Sequence, residues 1–268
     1  MIKIDKIRTC GWEPALRGMR NPKNSWDRSD TTYYVELLDD GEGHLYPAES
    51  AIIGPNDHKL AMTLVNAGPE HRKFLRMIHC YVNIAAPLYW WKEFDTYKIG
   101  TTANSCSTMH KIMAKPFVLE DFSHEHLLDF PDACKFMSEL NESISDDESL
   151  SIDVSPYRDR SVLFSPSGLL EEQIRALNQY RNLYLRIKDR PTKDIAKKNE
   201  NLKKIWWQVI QLLPSSYNQM RTVDMSYETL ANIARQRAGH KQDEWRVTFV
   251  QEFIPQLPYP EFITGKEK

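Results

Sequence analysis

The spacing of hydrophobic and polar positions changes period several times along this chain, and each change predicts an element. Thr31-Thr32-Tyr33-Tyr34-Val35-Glu36-Leu37 is rich in β-branched and aromatic residues and stops at Asp39-Asp40-Gly41, which predicts a strand. Leu60, Ala61, Leu64 and Val65 follow at helical spacing, with Asp57 as the expected cap and Gly68-Pro69 as the stop. From Phe74 to Trp91 the chain is apolar, β-branched and aromatic, which predicts extended backbone entering the next stretch. Ser165-Pro166 opens a helix with Leu170, Ile174, Leu177, Tyr184 and Ile187 on one face. Ile205 to Leu213 is strongly apolar and ends at Pro214. Ser226 caps a helix bearing Leu230, Ile233 and Ala234, and a last amphipathic helix bears Trp245, Phe249 and Phe253 and stops at Pro255. No internal repeat or clean domain boundary interrupts this order.

Ala86 to His110 is the stretch around which the rest is organised. Tyr89, Trp90, Trp91 and Phe94 form an aromatic wall, and Thr101 to Thr108 follows with five hydroxyls and one carboxamide. An apolar wall ending in convergent neutral polar groups suits a ligand pocket, and the polar run equally suits a solvated turn. Arg237 lies seven residues after Leu230, on the same apolar stripe. A guanidinium there needs either an internal carboxylate or carbonyl, or an anionic ligand such as a phosphate. Arg17 to Arg28 reads as a basic loop punctuated by Trp12 and Trp26, either an exposed loop or one that closes over an anionic ligand.

Composition narrows the classes. The 268 residues are 41% hydrophobic and 27% charged, ordinary for a soluble globular chain, and the net charge of −2 argues against nucleic-acid binding driven by global charge. Arg175 to Lys204 nonetheless holds ten basic and three acidic residues, a solvated helical face and linker or an electrostatic patch. Glu139, Glu142, Asp146, Asp147, Glu148 and Asp153 fall in a serine-rich stretch without Lys or Arg, which predicts a solvated, mobile insertion near 139–164. No apolar run has membrane-spanning length and no signal core follows Met1, so the chain is expected in the cytoplasm without a membrane partner. Cys10, Cys80, Cys106 and Cys134 have no zinc-type spacing, so no metal is expected. Cys106 and His110 would make a thiolate–imidazole pair only if they shared one helical turn.

Two separated blocks resemble the flavin-dependent thymidylate synthases. That family carries P-[IV]-F-x-x-R-Q-W-x-R-H-R-x-x-S-x-N-E-x-S-x-R-Y, and Pro87-Leu88-Tyr89-Trp90-Trp91-Lys92-Glu93-Phe94 follows its first half. With one extra residue near Thr102, Asn104-Ser105-Cys106-Ser107-Thr108-Met109-His110 follows its end. His71 stands in register with the first histidine of the upstream H-x-S-x-x-E-H, with Arg76 and Met77 in place of its last two residues. Leu213-Pro214, Ser226, Thr229-Leu230, Ile233 and Arg237 follow the downstream L-P and N-x-R-S-L-x-x-F-x-x-x-R spacing. The likeness covers roughly 57–113 and 205–253. The R-H-R triplet has become Thr96-Tyr97-Lys98, the final R-Y Met109-His110, a glutamine Glu93, and the glutamate after the asparagine Ser105. Arg221 stands one position from the family's strand arginine.

The resemblance implies an α/β (α+β) fold, a mixed sheet packed with long helices in one domain over 1–268. It implies a divergent, phage-type flavoprotein, a homo-oligomer such as a homotetramer with sites between subunits. The implied reaction moves a one-carbon unit from methylene-folate to a pyrimidine deoxynucleotide, dUMP or dCMP, with FAD as cofactor. By this likeness Asn104, Ser107, Arg221 and Arg237 meet the nucleotide, Ser107 and Glu93 are catalytic, and His71, Tyr97 and Lys98 contact the cofactor. Glu93 either accepts a hydrogen bond from a cytosine amine or pairs internally with Lys92 or Lys98. The loss of R-H-R leaves a second reading open, a non-catalytic nucleotide-binding or assembly module.

Overall fold

The computed structural model describes residues 1–39, 43–143 and 165–265. It is mixed α/β, as expected. The chain forms two compact units, 1–106 with 219–268, and 107–218, so the second is an insertion in the sequence of the first.

The first unit is built on a four-stranded sheet with the order β1 (Lys3–Cys10), β4 (His79–Pro87), β6 (Asn218–Ser226), β5 (Thr101–Ser105). β1 runs antiparallel to β4, and β5 antiparallel to β6 with Asn104 opposite Thr222 and Ser105 opposite Arg221. Cys80, Val82, Ile84 and Ala86 are buried at alternate positions of β4, the signature of a sheet with one face on a core. The hairpin β2 (Thr32–Asp39) and β3 (Leu45–Ile52) makes a separate antiparallel pair. The segment from Phe74 to Trp91 is extended only over β4. A 3-10 turn (Lys73–Arg76) precedes it, and α3 (Leu88–Phe94) follows directly after Pro87, whose backbone is still extended.

Two local expectations change. Asp57 is the third residue of α2 (Pro55–Ala67), and the carboxylate of Asp30 accepts the N–H groups of Asn56 and Asp57 at 2.9 and 3.1 Å. Asp30 therefore does the work assigned to Asp57. The aromatic wall is core: Trp90, Trp91 and Phe94 are buried, and Trp90 stacks on Trp245 with centroids 4.3 Å apart. Trp245 belongs to a π-helix (Glu244–Phe253), whose wider turn keeps Trp245, Phe249 and Phe253, spaced every four residues, in one core with Trp90.

The second unit packs α6 (Pro166–Lys188) on α7 (Ile195–Leu212) with Leu170, Leu177 and Val209 in its core beside Ile112, Met113, Phe117 and Phe122. Ser165 caps α6 by accepting the Gly168 N–H at 3.0 Å. It also contains α4 (Thr108–Lys111) and α5 (Phe130–Ser143). The expected acidic insertion begins on this last helix, and its part from 144 to 164 lies outside the described residues.

Candidate functional site

The segment 95–100 joins α3 to β5 and is folded by short-range bonds. The N–H groups of Asp95, Thr96 and Tyr97 donate to the carbonyls of Trp91, Glu93 and Phe94 at 2.8–3.1 Å. Gly100 has φ +70°, and a Cβ there would stand 2.7 Å from both the Ser226 and Thr229 hydroxyls. Glycine suits this turn to the start of α8 (Tyr227–Arg237), where a side chain would be strained and would crowd both hydroxyls. The Ser226 N–H donates to the Gly100 carbonyl at 2.9 Å, and the Thr229 hydroxyl to the Ile99 carbonyl at 2.8 Å.

This turn and α8 line a cleft of about 700 Å³, within the size range of ligand pockets. Thr96, Tyr97 and Lys98 line one side. Ser226, Glu228, Thr229, Asn232 and Gln236 line another, and Arg76 contributes from the 3-10 turn. Arg72 holds Glu228 through two bonds of 2.9 and 3.2 Å, which neutralises that carboxylate. Among the described residues no carboxylate pairs with Arg76 or Lys98, so the cleft keeps two net positive charges beside the positive end of α8. That donor set suits a phosphate-bearing ligand with hydrogen-bonding groups.

The other candidates lie elsewhere. Glu93 and Arg237 meet directly: Arg237 Nη1 lies 2.8 Å from Glu93 Oε2, and His240 Nε2 lies 3.3 Å from the same oxygen. Arg237 Nε donates to the Tyr97 hydroxyl at 2.8 Å, and its guanidinium sits 4.8 Å from the Trp245 ring centroid. The internal partner of Glu93 is thus Arg237 with His240, not Lys92 or Lys98. Arg221 pairs with Asp95 at 2.7 Å and lies over Trp91, 4.1 Å from the ring centroid. Asn104 is exposed on β5, next to the strand that carries Arg221.

Ser107 is exposed and belongs to the second unit, while the other candidates lie in the first. His71 is exposed beside Glu70, at 3.8 Å, and is not part of the cleft lining. Cys106 precedes α4, so it does not share a helical turn with His110. Thr101–Ser105, whose polar run also suited a turn, is a strand.

Asn232 and Gln236 escaped the sequence reading. The signal for them is a polar stripe, Glu228, Asn232 and Gln236 at i, i+4 and i+8 on a helix whose other positions are largely apolar. Arg76 entered it only as a departure from a motif.

No protein-family model matches this sequence, and no curated protein matches it. Solved structures do. A crystal structure of thymidylate synthase X (ThyX) from Helicobacter pylori with FAD and dUMP matches over 98% of this chain and 96% of that one, with a TM-score of 0.55 and 14% identity. A second Helicobacter pylori ThyX complex with FAD and dUMP matches over 96% of each chain, with a TM-score of 0.52 and 14% identity. The chain has the fold of the flavin-dependent thymidylate synthases.

Proposed function

We propose that this protein is a flavin-dependent enzyme that transfers a one-carbon unit from a folate to a pyrimidine deoxynucleotide. One observation carries the reading. Thr96-Tyr97-Lys98, which stand where the family has its basic R-H-R triplet, line the 700 Å³ cationic cleft of a chain with that family's fold.

FAD fits this cleft by charge and by size. Arg76 and Lys98 would hold its phosphates, and Tyr97, Ser226, Thr229, Asn232 and Gln236 supply neutral hydrogen-bonding groups. Bound and reduced, the flavin supplies hydride. The work of the chain is then to hold ligands in register, which is proximity and electrostatic positioning. His71 is assigned to the cofactor by its motif register alone. The same reading expects methylene-folate as co-substrate and a homo-oligomer with sites between subunits.

For the nucleotide, Asn104, Ser107, Arg221 and Arg237 remain the assigned contacts, with Glu93 as the residue that selects the base. Its carboxylate is shared with Arg237 and His240, and an acceptor so held favours the exocyclic amine of cytosine over the carbonyl of uracil. Comparing dCMP and dUMP affinities tests this, and tighter dUMP binding contradicts it.

A second reading, a nucleotide-binding module without catalysis, draws support from one feature. Both assigned arginines are neutralised within the chain, Arg237 by Glu93 and Arg221 by Asp95. Titrating the protein with FAD and recording the visible spectrum after desalting separates the two. A retained flavin supports the enzyme. A colourless protein that binds a deoxynucleotide supports the module.

A further inference from the structure

The second unit carries a cleft that the proposed reaction does not use. It has a volume of about 350 Å³ and lies between the α4 region and the α6–α7 pair. Arg181, Tyr184 and Lys188 face it from α6 at i, i+3 and i+7, one stripe of that helix. Trp206 faces it from α7, and Lys111 and Met113 close it. Arg181 Nε donates to the Met113 carbonyl at 3.1 Å, and Trp206 Nε1 to the Met109 carbonyl at 3.3 Å. Both side chains are therefore fixed by neutral groups. Among the described residues, no carboxylate pairs with Lys111, Arg181 or Lys188.

The charge continues beyond the cleft. Arg190 and Lys193 lie between the two helices, and Lys197 and Lys198 open α7. Of the three acids nearby, Glu200 is engaged by Lys197 at 3.1 Å and Lys204 at 2.6 Å, Asp194 caps the helix by accepting the Lys197 N–H at 2.8 Å, and Asp189 is exposed in the turn, which leaves Arg190, Lys193 and Lys198 as the positive excess. Trp207, beside Trp206, is 42% exposed.

We propose that this helical pair binds single-stranded nucleic acid. A base fills the cleft against Tyr184 and Trp206, its phosphates meet Lys111, Arg181 and Lys188, and the strand continues along the basic turn between the helices. Stacking rings set among fixed and mobile cations are how strands are held without sequence readout. The cleft has room for one nucleotide and none for a duplex. The net charge of −2 for the whole chain does not oppose this, because the field involved is local.

The test uses the full chain and a fluorescein-labelled twenty-residue oligothymidylate, followed by anisotropy and tryptophan fluorescence between about 50 and 200 mM salt. Binding with tryptophan quenching, and an affinity that falls as salt rises, is the expected result. Lys111 and Lys188 are exposed, so replacing both with Gln leaves the fold intact, as circular dichroism will confirm. That variant should bind at least about fivefold more weakly, with a salt slope shallower by about 1.4, from two phosphate contacts on a single strand. Three results would overturn the proposal: no binding at low salt, an unchanged Lys111→Gln/Lys188→Gln affinity, or displacement of the oligonucleotide by equal amounts of dTMP or of duplex. Retention of flavin by the same variant keeps this outcome separate from that of the first cleft.

Discussion

Asp57 shows how much one buried residue can carry. It is fully buried and pairs with Arg20 at 2.6 Å, while the hydroxyls of Ser29 and Thr31 each donate to it at 2.6 Å. Burial pushes its carboxyl up, but the bonds from Ser29, Thr31 and Arg20 together hold it below the ordinary range. A folded-state value below the unfolded one means that this stability is complete above the unfolded pKa near about 4, and is lost as pH falls through the lower folded value. Asp57→Asn leaves Arg20 buried without a counter-charge and should cost about 3–5 kcal/mol in urea unfolding at pH 7. In the variant that part of the acid-side loss should vanish. Gly100→Ala should also destabilise, by about 1–3 kcal/mol, since its φ is positive and the Ser226 and Thr229 hydroxyls fill the space. Thiol labelling offers a third check. Cys106 and Cys134 are exposed and should react with a disulfide reagent in the native state, whereas Cys80, buried with its thiol pushed up to about 12, should react only on unfolding. Some of this was legible in the sequence: the stripe arithmetic put Arg237 on an apolar face, and the structure sets it against Tyr97 and Trp245. Its partner was not legible, because Glu93 is 144 positions away in the chain and no local spacing points to it.

At the scale of elements, periodicity was most informative where a helix is long and one-sided. The helix from Ser165-Pro166 forms with the expected cap, and the one capped by Ser226 buries Leu230, Ile233 and Ala234 as its spacing required. It failed where one stretch changes state within a few residues. Phe74 to Trp91 is largely apolar, so its composition could not mark the passage from 3-10 turn to strand to helix. The aromatic run that suggested a ligand wall is an internal stack for a related reason: residue type does not say which side of a helix meets the core. This stack makes a strong prediction. Trp245→Ala removes the ring lying between Trp90, Phe249 and the Arg237 guanidinium, and should cost about 3–5 kcal/mol by chemical denaturation. A loss below about 1 kcal/mol would mean that the π-helix is not part of the core.

At the scale of the molecule, a fold was recoverable from motifs whose chemistry has drifted. The spacing of Pro87, Asn104, Ser226 and Arg237 is set by how α3, β5, β6 and α8 connect, and connection lengths change more slowly than side chains at 14% identity. The cleft itself was only half visible beforehand: Tyr97 and Lys98 came from the motif, whereas Arg76, Asn232 and Gln236 needed the chain folded. Among the described residues no helix is long and apolar enough to cross a membrane. The central claim is that this cleft holds a flavin, and the most direct measurement is the visible absorption spectrum of the purified protein after addition of FAD and removal of the excess. The account predicts a retained flavin spectrum, with affinity reduced about tenfold or more in Lys98→Ala through loss of a charge-assisted contact. A protein that stays colourless, or a Lys98→Ala variant that keeps FAD as tightly as the parent, would contradict it.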